Sequence, residues 1–281
     1  MALEELARAS DDLERIEVQV LLEAIYQHYG FDFRGYALGS LKRRLWRRAY
    51  GEKVETLSAL QDKVLHDPAV MERLLLDLSI NVTAMFRDPT FFRAFREKVV
   101  PTLRTYPFVR IWNAGCSTGE ETYSLAIVLK EEGLYDRTRI YATDINDRVL
   151  EQARAGRFPL EKMREYTENY LRAGGNEEFS SYYTVEGETA SFTTDLCEQV
   201  VFAQHNLVSD APFNSFNVIV CRNVMIYFGK TLQDRVHELF YDSLEPLGIL
   251  AMGHKESIRF TRYEDRYEPL DPQEKLYRKM Y

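Results

Sequence analysis

The sequence predicts a doubly wound α/β domain that carries a small inserted antiparallel β-subdomain and follows a small all-α N-terminal domain. Three observations predict it. Up to about residue 105, apolar residues recur only at helical spacing. From Phe108 onward, short apolar runs alternate with amphipathic helical stretches, the pattern of a parallel sheet covered on both faces. Between 157 and 205 that alternation breaks into a helix, a Gly174-Gly175 stop and three short strand-like runs. The expected boundaries are a helical domain over 1–88 with a linker to about 105, and the α/β domain over 106–281 with its insertion at 157–205. A chain of 281 residues holds a large domain and a smaller one.

In the helical part, Leu13, Ile16, Val20 and Leu21 share one spacing, and Met71, Leu74, Leu75 and Leu78 another. Asp67-Pro68 and Asp88-Pro89 read as helix starts, with Asp as the N-cap and Pro as the first helical residue. In the α/β part the first strand is 109–112, followed by a glycine-containing turn and a helix near 120–131. The second is 139–144, followed by a helix near 146–155. Residues 216–221 are almost wholly apolar and so read as a central strand. A helix near 232–244, a strand at 248–252 and an alternating, antiparallel edge strand at 274–280 complete the domain. Within the insertion, 160–171 reads as a helix. Runs 182–185, 190–194 and 199–202 read as a small antiparallel unit with a hairpin turn at Glu186-Gly187.

Composition excludes several classes of function. No apolar run approaches the ~18 residues of a membrane helix, and the acidic N-terminus lacks a signal-peptide core, so no membrane insertion and a cytoplasmic location are expected. Cys116, Cys197 and Cys221 are odd in number and widely spaced, which fits neither a disulfide framework nor a zinc site. No metal site is expected. A net charge of −8 argues against nucleic acid as a partner. One local exception is Leu41-Lys-Arg-Arg-Leu-Trp-Arg-Arg48, whose Lys42, Arg43, Arg44, Arg47 and Arg48 form either a solvated helix face or a docking surface for an acidic partner. Trp46 is expected near the core side.

Ligands of open α/β sheets bind beyond the carboxyl ends of the strands. Four polar clusters fall at such ends: Asn113-Ala-Gly-Cys-Ser-Thr-Gly-Glu-Glu121, Asp144, Asn206 and Arg222-Asn223. The first departs from the dinucleotide fingerprint, because Ser117 stands where the second glycine belongs and Glu120 and Glu121 open the helix. Two carboxylates there repel a pyrophosphate and suit a cofactor with positive charge and no phosphate, such as S-adenosylmethionine. Asp144 is placed to accept bonds from a ribose diol, with Asn146 available to cap the next helix.

These residues resemble the bacterial chemotaxis receptor methyltransferases. The resemblance is carried by Asn81-Val-Thr-Ala-Met-Phe-Arg87, Ala114-Gly-Cys-Ser-Thr-Gly-Glu-Glu-Thr-Tyr-Ser124 and Thr143-Asp-Ile145. It continues through Asn206-Leu207, Arg222-Asn-Val-Met-Ile-Tyr-Phe228 and Gly253-His-Lys-Glu-Ser257. It implies a Rossmann-like, S-adenosylmethionine-dependent domain in which Asn81, Thr83, Arg87, Gly115, Glu121, Asp144, Asn206, Leu207, Arg222 and Asn223 meet the cofactor. It also implies that the basic helix faces the cytoplasmic methylation helices of chemoreceptors. The implied reaction is methyl transfer to a glutamate carboxylate, giving a methyl ester and S-adenosylhomocysteine. Arg87 would orient the charges in that reaction. Tyr227 is either beside the transferred methyl or a core aromatic. His254 is expected to be structural, because a carboxylate ionised at neutral pH needs no base. Met85 departs from an aromatic position of the family, and the hairpin at 182–196 does not match its receptor-tail-binding form. Alternatives are the same chemistry in a pathway with another output, and a non-catalytic cofactor-sensing module that docks on receptors. The chain lacks the base-gripping N-P-P-Y pattern of nucleic-acid methyltransferases.

Overall fold

The computed structural model describes residues 2–79 and 83–281, with side chains from residue 11 onward. The chain forms two compact units: Met1–Ile80 together with Tyr227–Gln233, and Asn81–Ile226 together with Asp234–Tyr281. Among the described residues no helix is long and apolar enough to cross a membrane.

The first unit contains α1 (Ala2–Tyr29), α2 (Leu38–Gly51), α3 (Leu57–His66) and α4 (Pro68–Leu78). Local chemistry sets their starts. The Thr56 hydroxyl accepts the Ala59 N–H at 3.0 Å, and the Asp67 carboxylate accepts the Ala69 N–H at 2.9 Å, with Pro68 opening α4. In α4 the predicted face Met71, Leu74, Leu75 and Leu78 is buried. In α1 the spacing expectation is corrected: Leu21 is buried, whereas Leu13, Ile16 and Val20 are exposed. The helix has two apolar stripes, and it buries the denser one, Val18, Leu21, Leu22 and Ile25. The segment Tyr227–Gln233 joins this unit through backbone bonds: Ala37 N–H to the Tyr227 carbonyl (2.9 Å) and Gly229 N–H to the Gly35 carbonyl (2.7 Å).

The second unit opens with α5 (Pro89–Ala94), a π-helical turn (Phe95–Val99) and α6 (Val100–Leu103). Then come β1 (Val109–Ala114), α7 (Glu120–Glu131), β2 (Thr138–Asp144) and α8 (Asp147–Ala155). The inserted stretch holds β3 (Arg157–Pro159), α9 (Met163–Arg172), β4 (Tyr183–Glu186) and β5 (Thr189–Phe192). The main layer resumes with β6 (Val200–Gln204), β7 (Phe216–Cys221), α10 (Lys230–Ser243), β8 (Leu244–Met252), β9 (Tyr267–Asp271) and β10 (Leu276–Lys279). Among the described residues the main sheet has the order β6-β2-β1-β7-β8-β10-β9, so the apolar strand β7 is central as expected. From β6 to β8 neighbouring strands run parallel, and β10 is antiparallel to both β8 and β9. Alternation sends Ile111 toward α7 and the insertion's aromatics, and Trp112 to the other face against Phe216 and Phe240.

Three expectations about strands change. The run at 199–202, assigned to the small antiparallel unit, is β6 and pairs parallel with β2, Ala142 opposite Phe202. The third strand of the small sheet is β3, giving the order β3-β5-β4. The edge on the far side of the main sheet is β9, with β10 inside it. The hairpin predicted at Glu186-Gly187 joins β4 to β5, with Gly187 in the left-handed region.

Candidate active site

The carboxyl ends of five strands lie side by side. Register sets Ala114 beside Thr143, Asp144 beside Gln204, Asn113 beside Val220, and Cys221 beside Met252. Every polar cluster predicted from sequence therefore leaves the sheet at one edge. Two non-glycine residues in these loops have positive φ, Ser117 and Asn223, and two more, Phe86 and Asp88, stand in the segment before α5 that Arg222 and Ser124 hold. Such backbone is costly, and it persists where the surroundings fix it.

The loop after β1 is built around Gly115, at φ +78°, where a Cβ would stand 2.4 Å from the Val224 side chain. Only glycine lets the loops after β1 and β7 approach so closely. The Asn113 side chain, fully buried, donates to Glu121 at 2.8 Å and accepts from the Thr122 hydroxyl at 2.6 Å. Ser124 donates to the Glu120 carbonyl and accepts the Phe86 N–H at 2.8 Å, tying the turn that carries Arg87 to α7.

The two glutamates opening α7 have different environments. Glu120 is buried, bonded to the hydroxyls of Thr118 (2.6 Å) and Tyr166 (3.3 Å), and burial pushes its carboxyl up from the usual range. Glu121 instead meets Arg222 at 2.6 Å. Their joint repulsion of a phosphate, assumed from sequence, is thus weaker than two free carboxylates would give, because Arg222 pairs with Glu121. Arg222 is the hub. Its side chain is 0% exposed and lies over the Phe91 ring at 4.0 Å. It donates to Glu121, to Asp88 at 2.8 Å and to the Arg87 carbonyl at 3.2 Å, while its Nε finds no partner among the described residues. Asp88 makes no N-cap bond for α5, contrary to the sequence reading, because its carboxylate is drawn to Arg222.

Asp144 is buried, and its two oxygens accept the N–H groups of Ser117 (3.0 Å) and Asn146 (3.1 Å). Burial pushes its carboxyl up and these bonds pull it down, with burial the larger. As expected, Asn146 caps α8, accepting from Arg148 N–H at 3.0 Å. Asn206 shapes the loop after β6 by accepting the Val208 N–H at 3.0 Å, and Leu207 beside it is buried. Thr83 and Arg87 are half-buried, and Met85 is fully buried. Asn81 lies outside the described residues. His254 is exposed and pairs with Glu274 at 3.0 Å, as a structural residue would.

Glu256 carries a function that sequence reasoning missed. Its carboxylate, 5% exposed, accepts four backbone N–H groups: Gly253 at 2.7 Å, Asn223 at 3.0 Å, Val224 at 2.9 Å and Met225 at 2.7 Å. It fixes the loop after β7, including left-handed Asn223, to the loop after β8. A lone acid four residues past a strand carries no pattern announcing this. The only signal was its place inside the motif 253–257.

The basic helix differs from its predicted role in part. Arg44 is buried, donating to the Leu78 carbonyl (2.6 Å) and Ser40 (2.8 Å), with its guanidinium 4.7 Å from the centre of the Tyr227 ring. It is therefore excluded from a docking face, since it shares the buried stripe of Leu41, Leu45 and Ala49. Tyr227 accordingly packs within the helical unit. Lys42 pairs with Glu14, and Arg48 with Asp77 and Glu52. Trp46 is half-buried and donates to Glu14 at 2.6 Å. Arg43 and Arg47 remain exposed, one turn apart.

The donor set fits S-adenosylmethionine. Glu121 has lone pairs beyond the two bonds it accepts and can take an ammonium. Arg222 fixes Glu121 in place, and Asp144 presents carboxylate oxygens at the end of β2.

Comparison with known proteins agrees. Residues 81–273 match the family described as CheR methyltransferase, SAM binding domain, and residues 16–79 match CheR methyltransferase, all-alpha domain. A Pseudomonas putida protein named "Putative methyltransferase Cher3" is 49% identical over 94% of this chain and 97% of its own length. The Chemotaxis protein methyltransferase of Salmonella typhimurium is 30% identical over 85% of this chain and 82% of its own. That of Escherichia coli is 30% identical over 87% and 85%.

Proposed function

Because this chain belongs to the CheR methyltransferase family and is an S-adenosylmethionine-dependent methyltransferase, we propose that it methylates glutamate side chains in the cytoplasmic helices of chemoreceptors. The products are glutamate 5-O-methyl esters and S-adenosylhomocysteine. The observation that carries this reading is Arg222, held between Glu121 and Asp88 at the carboxyl end of the central strand. Buried, with both terminal nitrogens engaged, it fixes the Glu121 carboxylate that the cofactor's amino-acid end meets. The names of the Salmonella and Escherichia relatives support the chemotaxis setting.

The bound cofactor supplies an electrophilic methyl on a sulfonium. The chain's residues supply alignment and exclusion of water. An acceptor glutamate has an ordinary pKa of about 4.3 and arrives ionised, so no residue has to remove a proton. Arg87 orients the acceptor carboxylate, Arg222 fixes Glu121, and Glu121 holds the cofactor's ammonium. Asp144, with Asn206, Leu207 and Gly115, lines the nucleoside end; Asn81, Thr83 and Asn223 complete the cofactor contacts. On the helical unit, exposed Arg43 and Arg47 form the face that meets acidic methylation helices.

The test is calorimetry with S-adenosylmethionine and S-adenosylhomocysteine, followed by transfer of labelled methyl to a panel of receptor cytoplasmic fragments. Base-labile label on a glutamate is expected. Cofactor binding with no transfer to any fragment would overturn the acceptor.

A further inference from the structure

We propose that the loop after β8, residues 254–262, is a docking surface that receives the acidic acceptor helix through Phe260 and the cations around it. This rests on the acceptor proposed above and adds a second contact for it, on the α/β unit itself. Phe260 is 87% exposed, and among the large apolar residues described only the terminal Tyr281 is more so. Its exposure is built into the loop rather than left over from fraying. Phe260 holds a left-handed backbone at φ +63°, which an aromatic residue adopts only when its surroundings impose it. The imposing bonds are present: Phe260 N–H donates to Glu264 at 2.8 Å, and both the N–H and the hydroxyl of Thr261 donate to the Ile258 carbonyl. Ile258 is buried beneath them, and two residues earlier Glu256 roots the loop.

Charge selects the occupant. Lys255 and Arg259 are exposed and form no ion pair among the described residues, and Arg262 is exposed with Glu238 3.5 Å away. His254 is engaged by Glu274, and Glu264 is turned inward onto the Phe260 amide. Asp265 is the exposed acid of the stretch. In a chain of net charge −8, an aromatic side chain set among unpaired cations fits an acidic helix with an apolar stripe. Position links the surface to the chemistry. β7 and β8 are parallel with Cys221 beside Met252, so this loop leaves the sheet at the same edge as Arg222-Asn223, and the Glu256 carboxylate bonds both loops. A helix laid on Phe260 would have its glutamates directed along that edge.

The experiment uses the full chain and a receptor cytoplasmic fragment. Phe260→Ser and the pair Lys255→Glu with Arg259→Glu are compared with the unaltered protein. KM for the fragment is expected to rise at least about tenfold, the effect of losing one interface anchor. kcat and the dissociation constant of S-adenosylmethionine should stay within twofold (about the scatter of such measurements). The charge-reversed pair should also lose the dependence of KM on ionic strength. An unchanged KM, or a loss confined to kcat or cofactor binding, overturns the proposal. So does a concentration-dependent dimer abolished by Phe260→Ser with KM intact, because the occupant is then a second copy. Direct titration of the fragment onto unaltered and Phe260→Ser protein reads the loop without turnover; equal affinities overturn it even where methyl transfer is absent.

Discussion

The two units treat charge in opposite ways. At the carboxyl edge of the sheet, charged groups are buried and locked to backbone or to one another: Arg222 to Glu121 and Asp88, Asp144 to two amides, Glu256 to four. In the helical unit Lys42, Arg47 and Arg48 of α2 sit in partly exposed pairs, with Arg43 exposed beside them. Exposed pairs are worth little and can be rearranged, whereas a buried charge is intolerant of losing its partner. One region is held in a single arrangement; the other is left adjustable.

Substitutions at the buried edge should break this contrast most visibly. Arg222→Met leaves Glu121 without its partner and should cost about 3–5 kcal/mol of stability, read by denaturant titration, together with loss of cofactor heat in calorimetry. A stable variant that still binds the cofactor would show that the hub is replaceable. Glu256→Gln keeps one acceptor oxygen but sets an amide NH2 against backbone donors, for a loss of about 2 kcal/mol. Its affinity for the cofactor should fall through the displaced Asn223 loop, and Glu256→Asp should restore part of it. Burial holds the Glu256 carboxyl above its usual range. A raised folded-state pKa means the folded chain binds this proton more tightly than the unfolded one, so the burial cost of Glu256 is relieved as pH falls through its raised range, and hydrogen-exchange protection at 223–225 should not drop in that window.

Changes in the helical unit should be milder. Arg43→Glu with Arg47→Glu should leave the thermal midpoint unchanged and raise KM for receptor fragments several-fold (roughly 1 kcal/mol of rim electrostatics), with the effect shrinking as salt is added. The smallest effect belongs to Glu52, whose carboxyl Arg73 and Arg48 pull down to about 2. A lowered folded-state pKa gives stability that is complete above the ordinary value of 4.5 and is lost as pH falls through about 2. Glu52→Gln should flatten the acid limb of the stability curve in that window, lower stability slightly and evenly above it, and make no difference below about pH 2.

The sequence made the periodic and the punctuated parts legible. Strands β1, β2 and β7, helix α7, the Asp67-Pro68 start and the Asn146 cap follow from apolar runs and short-range hydrogen bonds. Partnerships decided over long distances were not legible. The alternation of 199–202 fits either sheet, and only the packed structure joins it to β2. Two apolar stripes on α1 compete, and sequence does not say which one finds a neighbour. Arg44 was legible in principle, standing three residues past Leu41 on the buried stripe, but the basic run around it pointed to solvent. For the candidate site, the residue types at the strand ends were readable. The division of labour between Glu120 and Glu121 and the four-amide grip of Glu256 depend on contacts from distant segments.

The helical unit takes residues from two separate stretches, and the second begins at Tyr227, four residues after Asn223. This makes the unit a discontinuous module, woven into the chain at a point within the motif 222–228. A cut after residue 80 would not release it whole, because Phe228 and Leu232 would stay behind and lose the neighbours that bury them.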